Sequence, residues 1–278
     1  MTQIQPKPLG PDAVGLELPA MTFEYTDRDV ILYALGVGAT ELGFVYERNL
    51  KTLPTFAVIP AFPAMTGLSA AVEINLVMVL HGEQAFRIHK TIPTRGRLTT
   101  TGKVAGVYDK GKGALATVET ETRDEAGELV FSNSSGVFVR GAGGFGGERG
   151  PEAANKPPDR APDKTVEMQT LPMQAMNYRL SGDRNPLHID PDFAKMAGYD
   201  RPILHGLCSF GHVGRAVLRE HCGNDPARLV GMSVRFSGVV YPGDTIITEM
   251  WEGEDKIILQ AKTQEGRVVI SNAAAEVR

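Results

Sequence analysis

One stretch of the sequence, residues 178–194, concentrates the polar side chains that could do chemistry. Asp183 and His188 lie in it one turn apart, and Asn185 and Pro186 between them indicate that turn. A carboxylate and an imidazole held by one turn could share a water molecule, as general acid–base addition of water requires. The same residues also fit a plainer interpretation, in which Asp183 and Asn185 only form the turn and His188 packs beside the next helix.

A metal site at this turn is a weaker interpretation. Asp183, His188 and Asp190 are too close in sequence to complete a coordination sphere, and His205 could join them only through folding. Asp190 is better explained as the N-cap of a short helix that begins at Pro191. The sequence therefore predicts no metal ion at this turn.

Charge and cysteine content narrow the class of ligand. The 278 residues include 29 basic and 33 acidic side chains, a net charge of -4, so a nucleic-acid partner is not expected. Cys208 and Cys222 lack the spacing of a zinc site and do not suggest a disulfide framework. The better expectation is a protein that binds a small molecule in a reducing cytoplasm.

Neither end of the sequence carries a targeting pattern. Residues 1–6 lack the basic and apolar segments of a leader, and the final residues, Glu276 to Arg278, differ from a peroxisomal Ser-Lys-Leu signal. No apolar run approaches the roughly 18 residues that a membrane crossing needs. We therefore expect a soluble, cytoplasmic protein without a membrane partner.

The sequence contains a faint internal duplication. GELVFSN at residues 127–133 recurs as GRVVISN at 266–272, which suggests two copies of one unit. VLHG at 79–82 recurs as ILHG at 203–206 with a shorter offset, which predicts extra sequence in the second copy. Residues 207–221 have helical spacing, so we expect a central helix here that the first copy has shortened or lost.

The remaining pattern predicts the fold class. Alternating apolar and polar residues indicate strands at 103–108, 114–122, 129–140, 232–240, 245–252, 257–263 and 268–277. Tight turns rich in glycine, proline and aspartate connect them as antiparallel meanders. Antiparallel strands wrapped around one helix describe a hotdog unit. We therefore expect an α+β double hotdog fold, with the two sheets joined edge to edge.

The chain divides into residues 1–140, a linker at 141–168 that is rich in glycine and proline, and residues 169–278. The linker begins with Gly-Ala-Gly-Gly-Phe-Gly at 141–146, which fits the GxGxxG pattern of dinucleotide-binding proteins. No helix pattern follows it, so a pyrophosphate would meet no helix N-terminus. The linker is therefore not expected to bind a nucleotide.

The run at 178–194, YRLSGDRNPLHIDPDFA, resembles the signature of the R-specific 2-enoyl-CoA hydratases, the hydratase 2 or MaoC-like family. Supporting matches lie at 79–84, 108–113, 202–206, 234–238 and 241–244. The resemblance implies reversible addition of water to a trans-2-enoyl-CoA, giving a (3R)-3-hydroxyacyl-CoA in fatty-acyl metabolism such as β-oxidation. It implies no cofactor, because coenzyme A is part of the substrate.

The resemblance also implies roles for individual positions. Asp183 and His188 match the catalytic pair that holds water at C3 and exchanges a proton with C2, and Asn185 would orient that water. Gly206 would donate its backbone N–H to the thioester oxygen. The positions implied to bind substrate are His81, Gly82, Lys110, Arg184, Pro186, Leu187 and Phe236. Each has a plainer explanation as a turn, junction or core residue.

The resemblance assigns catalysis to the second copy alone, and the first copy would bind the acyl tail. A first copy with little or no central helix would leave room for a long or bulky tail. Two alternatives remain open, namely an acyl-CoA thioesterase of the same fold and a non-catalytic subunit that binds acyl-CoA. A homodimer is expected only by analogy with the fold class.

Overall fold

The structure is a computed structural model that describes residues 7–75 and 78–278. Residues 1–6, where the sequence indicates no leader, lie outside the described residues. The elements up to residue 140 are β1 (Lys7–Pro8), β2 (Glu17–Tyr25), α1 (Asp27–Gly36), α2 (Leu42–Val45), α3 (Val58–Thr66), α4 (Leu68–Ala71), β3 (Val72–Glu73), β4 (Val79–Ile88), β5 (Gly96–Asp109), β6 (Gly113–Arg123) and β7 (Leu129–Arg140). We call residues 7–140 the first unit.

The second unit, residues 164–278, contains β8 (Lys164–Gln169), α5 (Gln174–Tyr178), α6 (Pro191–Met196), α7 (Gly206–His221), β9 (Leu229–Phe236), β10 (Thr245–Glu252), β11 (Ile257–Thr263) and β12 (Val268–Val277). Short 3-10 turns lie at Pro11–Ala13, Pro54–Ala57, Arg179–Ser181, Pro186–His188 and Pro226–Arg228. Residues 164–168, which the sequence assigned to the linker, form most of β8, because Val166 and Met168 alternate with polar residues and pair with β10.

Ten strands form one antiparallel sheet in the order β2-β5-β6-β7-β4-β9-β12-β11-β10-β8. Each half of this order is one edge strand, a three-strand meander and one inner strand, so the two units mirror each other. Inner strands β4 and β9 pair antiparallel, with Phe86 opposite Met232. Gly127 and Gly266 both adopt φ +80°, in equivalent turns before the last strand of each unit. The expected double hotdog fold is therefore confirmed.

The central helices of the two units differ in length. In the second unit α7 has 16 residues, and every one from Leu207 to Leu218 is buried, as a core helix requires. In the first unit α3 has nine residues, follows a 3-10 turn and contains Pro63, which cannot donate a helix hydrogen bond. The first helix is thus shorter, as expected.

The sequence-based position of this shortening was wrong. It placed the missing residues after His81-Gly82, by equating that pair with His205-Gly206. In the structure Gly82 lies within β4, whereas Gly206 begins α7. The two His-Gly pairs are not equivalent, and α3 precedes β4 as α7 precedes β9.

Helix α7 is held to the first unit by a buried ion pair. Arg215, on α7, is 7% exposed and donates to both carboxylate oxygens of Glu41 at 3.0 Å. The same guanidinium donates to the carbonyl of Val37 at 3.2 Å. A buried charge of this kind is tolerated because it is paired and hydrogen-bonded. It fixes α7 against the segment that follows α1.

The glycine-rich start of the linker wraps around a carboxylate of the chain itself. Asp109 Oδ1 accepts hydrogen bonds from the amides of Gly111 and Gly144, and Oδ2 accepts one from Gly146, at 2.7 to 2.9 Å. Gly144 and Gly146 have φ +86° and +77°, which glycine adopts at low cost. The GxGxxG pattern therefore makes a backbone nest for Asp109.

No helix of the described residues is both long and apolar enough to cross a membrane.

We predict that Asp109→Asn lowers the Tm more than Asp255→Asn, because Asn offers one acceptor oxygen to the nest whereas Asp255 is exposed. The amides of Gly144 and Gly111 lower the pKa of Asp109, so its contribution to stability exists above the unfolded pKa of about 4. That contribution is lost as pH falls through the lower folded value. When thermal unfolding is measured between pH 7 and pH 3, the Tm values of Asp109→Asn and Asp255→Asn should converge at acid pH. Equal Tm values at pH 7 would contradict the prediction.

Candidate active site

The Asp183–His188 segment is a turn in which each residue supports the next. Gly182 begins it at φ +138°. Asp183 Oδ1 accepts the amide hydrogen of Asn185 at 3.1 Å, and Asn185 Oδ1 accepts that of Leu187 at 3.0 Å. Asn185 thereby caps the 3-10 turn that ends at His188. Asp183 and Asn185 thus do form the turn, as the plainer interpretation of the sequence predicted. Asp183 Oδ2 is not used in the hydrogen bonds of this turn.

The ring of His188 is fixed by a backbone carbonyl. Its Nδ1 lies 2.8 Å from the oxygen of Ile203, so Nδ1 carries the proton and donates it. Nε2 is then the unprotonated nitrogen. Burial lowers the pKa of His188, and the nearby charge of Asp183 opposes this effect in part. His188 is therefore a neutral base at neutral pH.

His205 completes a cluster with the pair. One side-chain ligating atom from each of Asp183, His188 and His205 lies within 4.8 Å of the other two. The His205 ring stacks on the His188 ring with centroids 3.7 Å apart, and its Nε2 lies 3.1 Å from the backbone oxygen of Asp183. From the sequence, His205 was considered only as a metal ligand that folding could bring to this turn.

The cluster is poorly arranged for a metal ion. The His188 and His205 rings are stacked with an interplanar angle of 26°, so the ring planes, in which the nitrogen lone pairs lie, are nearly parallel and do not meet near the rings. Two imidazoles that share one ion must instead point their lone pairs at one place. His188 Nδ1 and His205 Nε2 are also engaged with carbonyl oxygens.

Gly206 is the first residue of α7. Amides in the first turn of a helix have no acceptor within the helix, and the helix dipole adds positive potential there. A Cβ at this position would stand 3.2 Å from the ring of Phe236, so a larger residue would crowd the wall beside the amide. The glycine therefore gives an anionic oxygen close access to the backbone N–H.

One cavity of about 1470 Å³ joins these groups at the junction of the two units. Its wall contains ten of the eleven residues singled out from the sequence: His81, Gly82, Lys110, Asp183, Asn185, Pro186, Leu187, His188, Gly206 and Phe236. The remaining one, Arg184, is exposed and is not part of this wall. The fold thus brings together residues from both units of the chain.

The first unit supplies an apolar part of the same wall. Its residues come from α3, α4, β4, β6 and β7, and they include Phe62, Met65, Leu68, Leu115, Val137 and Phe138. Apolar lining with few polar groups is typical of a site for a small-molecule ligand. The short α3 is therefore part of the cavity rather than a filler of the space.

Strands β4 and β9 place four cavity residues across the junction. The His81 ring packs edge-on against Phe236 with centroids 5.2 Å apart, and burial lowers the pKa of His81 to about 4. Glu83 and Arg235 are opposite each other in register and form an ion pair at 2.7 Å. Sequence reasoning missed this pair, because only strand register brings the two residues together.

Lys110 lies on the turn after Asp109. Its Nζ donates to the backbone oxygen of Arg149 in the linker, and it lies 5.8 Å from the Tyr108 ring centroid. The lysine therefore faces the cavity from a turn that is tied to the linker. Pro151, Glu152, Ala153 and Lys156 of the linker line the cavity next to it.

Comparison with known proteins covers nearly the whole chain. Residues 23–141 match the family described as MFE-2 hydratase 2 N-terminal domain, and residues 153–274 match the MaoC like domain. "Probable enoyl-CoA hydratase 2" of Dictyostelium discoideum is 43% identical over 94% of this chain and 94% of its own length. "Peroxisomal hydratase-dehydrogenase-epimerase" of Neurospora crassa is 45% identical over 95% of this chain, which spans only 31% of that relative.

Solved structures show the same architecture. The MaoC-like dehydratase from Phytophthora capsici superposes with a TM-score of 0.87 at 37% identity, covering 96% of this chain and 97% of that one. A Mycobacterium tuberculosis protein with a double hotdog fold superposes with a TM-score of 0.64 at 13% identity, covering 95% and 96%. At that identity the second likeness concerns the fold alone.

We predict that the free energy of unfolding falls as pH decreases from 7 to 5. Burial lowers the pKa of His188, of His205 to about 2 and of His212 to about 4, whereas unfolded histidine titrates near 6.5. Below 6.5 the unfolded chain therefore binds more protons than the folded one. Each such histidine contributes a slope of up to about 1.4 kcal/mol per pH unit.

Urea unfolding at several pH values measures this slope. His212→Phe should reduce it by the share of one histidine, and His89→Phe, at an exposed position, serves as the substitution control. Equal slopes for wild type and His212→Phe would show that His212 is not neutral in the folded protein.

Proposed function

Because the chain belongs to the MaoC-like dehydratase family, in its hydratase 2 branch, we propose that it adds water to the double bond of a trans-2-enoyl-CoA. The observation that carries the proposal is the placement of Asp183 and His188 in one cavity with the amide of Gly206. The product is a (3R)-3-hydroxyacyl-CoA, and the reverse dehydration uses the same groups. The R stereochemistry rests on the family and not on the geometry.

The neutral His188 and the Asp183 carboxylate supply the acid–base chemistry. A water molecule between them donates hydrogen bonds to both acceptors, so that its oxygen is directed at C3 of the substrate. Asn185, in the wall beside the pair, helps orient this water. As the oxygen bonds to C3, the pair accepts one proton of the water and delivers one proton to C2, so that it returns to its starting protonation state. Hydroxyl and hydrogen are added, and no redox change occurs.

The α7 N-terminus stabilises the charge that develops during this addition. Attack at C3 pushes electron density through C2 onto the thioester oxygen, giving an enolate. The Gly206 N–H donates to that oxygen, and the helix dipole favours the negative charge. Because the amide is fixed by the buried α7, it needs little reorganisation during the reaction.

The remaining wall residues bind the rest of the substrate. His81, Gly82, Phe236, Pro186 and Leu187 surround the thioester and the start of the acyl chain, and Lys110 offers a cation to the phosphates of coenzyme A. Arg184, which is exposed outside the wall, would contribute only to coenzyme A outside the cavity. Coenzyme A belongs to the substrate, so the reaction needs no separate cofactor.

The first unit, assigned to residues 1–140, binds the acyl tail and takes no part in catalysis. Its apolar wall of α3, α4, β6 and β7 residues offers room for a long fatty tail or a bulky one. Fatty-acyl metabolism, including β-oxidation, is the setting that such a substrate implies. The second unit, assigned to residues 169–278 after the linker, carries the acid–base pair.

The protein is proposed to be cytoplasmic and homodimeric. The composition favours the cytoplasm, whereas the Neurospora crassa relative is named peroxisomal. A homodimer follows only from the tendency of sheet and helix surfaces in such folds to associate. Imaging of the tagged protein and light scattering of the purified protein test the two statements.

We predict that Asp183→Asn and His188→Gln lower kcat by about 10²- to 10⁴-fold, because an amide side chain is too weak a base to accept a proton from the water. Substrate affinity should change little. Matched controls are Asp192→Asn and His89→Gln, which alter exposed residues outside the cavity. Loss of enoyl absorbance from trans-2-decenoyl-CoA measures kcat, and chiral analysis of the product gives the stereochemistry.

The same assay separates the alternatives. A thioesterase attacks the carbonyl carbon and releases the free thiol of coenzyme A, whereas hydration consumes the double bond without free thiol. A subunit that only binds acyl-CoA would neither consume the double bond nor release the thiol. Release of thiol at the rate of substrate loss, or substrate binding without turnover, would overturn the proposed function.

We predict that Met65→Trp lowers kcat/KM for trans-2-decenoyl-CoA by about tenfold or more, because the indole fills part of the cavity next to the apolar wall. Crotonyl-CoA, with a four-carbon chain, should be affected by less than about twofold. Met196→Trp is the control, since Met196 is 78% exposed and outside the cavity. Equal losses with both substrates would contradict tail binding by the first unit.

A further inference from the structure

His205 connects the turn that carries Asp183 to the helix that carries Gly206. Its backbone carbonyl accepts the amides of Cys208 and Ser209 at 3.0 and 3.2 Å, which fixes the first turn of α7. Its side chain reaches back to the turn, where Nε2 lies 3.1 Å from the backbone oxygen of Asp183. One residue thus contacts both the turn that holds Asp183 and the first turn of α7.

The Asp183 turn needs support from outside itself. Arg184, Asn185 and Pro186 are exposed, and Gly182 at its start gives the backbone freedom to swing. The Asp183 Oδ1 bond to the Asn185 amide shapes the turn without tying it to another element. The bond from His205 Nε2 supplies such a tie.

The His205 ring also limits the motion of the His188 ring. It is 1% exposed and lies between His188, at 3.7 Å between centroids, and Tyr178, at 4.9 Å. With Nδ1 bonded to the carbonyl of Ile203, the His188 ring could still rotate about that hydrogen bond. Stacking on the His205 ring blocks this rotation. The aim of Nε2 into the cavity therefore depends on the neighbouring ring.

The protonation of His205 suits a supporting role. Because Nε2 donates to a carbonyl oxygen, Nδ1 carries no proton, and it has no hydrogen-bond partner among the described residues. Burial, and then the charge of a protonated His188, lower the pKa of His205 to about 2. It stays neutral while His188 gains and loses a proton, and so does not compete for that proton.

We propose that His205 is a positioning residue, whose Nε2–H holds the Asp183 carbonyl and whose ring holds His188, so that the pair stays aligned with the Gly206 amide. This inference rests on the proposed hydration. His205 touches neither the water nor the substrate in this role. Its contribution is geometric, and displacement of the pair by about 1 Å can cost on the order of a hundredfold in rate.

Two substitutions separate the two contacts. His205→Phe keeps an aromatic ring for stacking but has no donor for the Asp183 carbonyl. His205→Gln places an amide N–H near the position of Nε2 but has no ring. We expect His205→Phe to lower kcat by about 10- to 100-fold with KM changed by less than about threefold, and the glutamine variant to retain more kcat.

The control is His212→Phe, the same substitution at a buried histidine that lies within α7 and outside the cavity. It reports the cost of placing phenylalanine in this helix, and kcat should remain within about twofold of wild type. Comparable Tm values for the two phenylalanine variants, with a loss of kcat only for His205→Phe, would separate positioning from a general loss of packing.

Two further readouts decide the role. In an Asp183→Asn background, His205→Phe should lower the residual rate little, because residues that act as a unit are not additive. In wild type, kcat/KM should fall at low pH as His188 becomes protonated. This fall, the acid limb of the pH profile, should persist in His205→Phe. An unchanged kcat, an equal loss in both backgrounds, or disappearance of the acid limb would each overturn the inference.

A spectroscopic measurement keeps the inference separate from the proposed function. The Nδ1–H proton NMR signal of His188 should be sharp in wild type and in His212→Phe, and broadened by solvent exchange in His205→Phe. If wild type failed to hydrate any enoyl-CoA, the proposed function would fail, while this signal would still test the support that His205 gives. A sharp signal in His205→Phe would refute it.

Discussion

The hydrogen bond from His188 Nδ1 to the carbonyl of Ile203 determines the chemistry that this cavity can perform. It fixes the tautomer, so that Nε2 is an acceptor, and burial keeps the ring neutral in the absence of substrate. A rotated or protonated imidazole could not accept a proton from water. Ile203 is only three residues before Gly206, so the same short segment orients the His188 ring and begins the helix that we propose stabilises the enolate.

The sheet explains how two units can line one cavity although Asp183 and His188 both lie in the second unit. Pairing of β4 with β9 makes one continuous sheet, so His81 and Glu83 stand beside Phe236 and Arg235 in fixed register. Strand hydrogen bonds are stiff, and the cavity at this junction therefore has a stable shape. The linker closes another side, held by the nest around Asp109.

Local signals in the sequence carried much of this description. The repeat at 127–133 and 266–272 predicted two units, and helical spacing predicted α7 to within one residue at its start. The short run from Asp183 to His188 contained both members of the pair. These features depend on neighbouring residues, whose periodicity and turn chemistry are visible in a single sequence.

Non-local features were inaccessible for a physical reason. The Glu83–Arg235 pair depends on strand register, and the stacking of His205 on His188 depends on the path of the chain between them. The His-Gly pairs at 81–82 and 205–206 look alike but occupy a strand and a helix start, so a four-residue match misplaced the shortened helix. The glycine-rich pattern resembles a nucleotide motif, which the absence of a following helix argued against, but its actual anion, Asp109, was not predicted because it is distant in sequence.

Covalent fusion of the two units has a consequence for how such a molecule can change. In a homodimer of single hotdog units, every substitution is present in both subunits. A mutation that enlarges the cavity in one subunit therefore also changes the other subunit. In this chain the halves are encoded separately, and α3 could shorten while α7 remained intact. A substitution in the first unit can therefore change the apolar part of the cavity wall without altering the turn that holds Asp183 and His188.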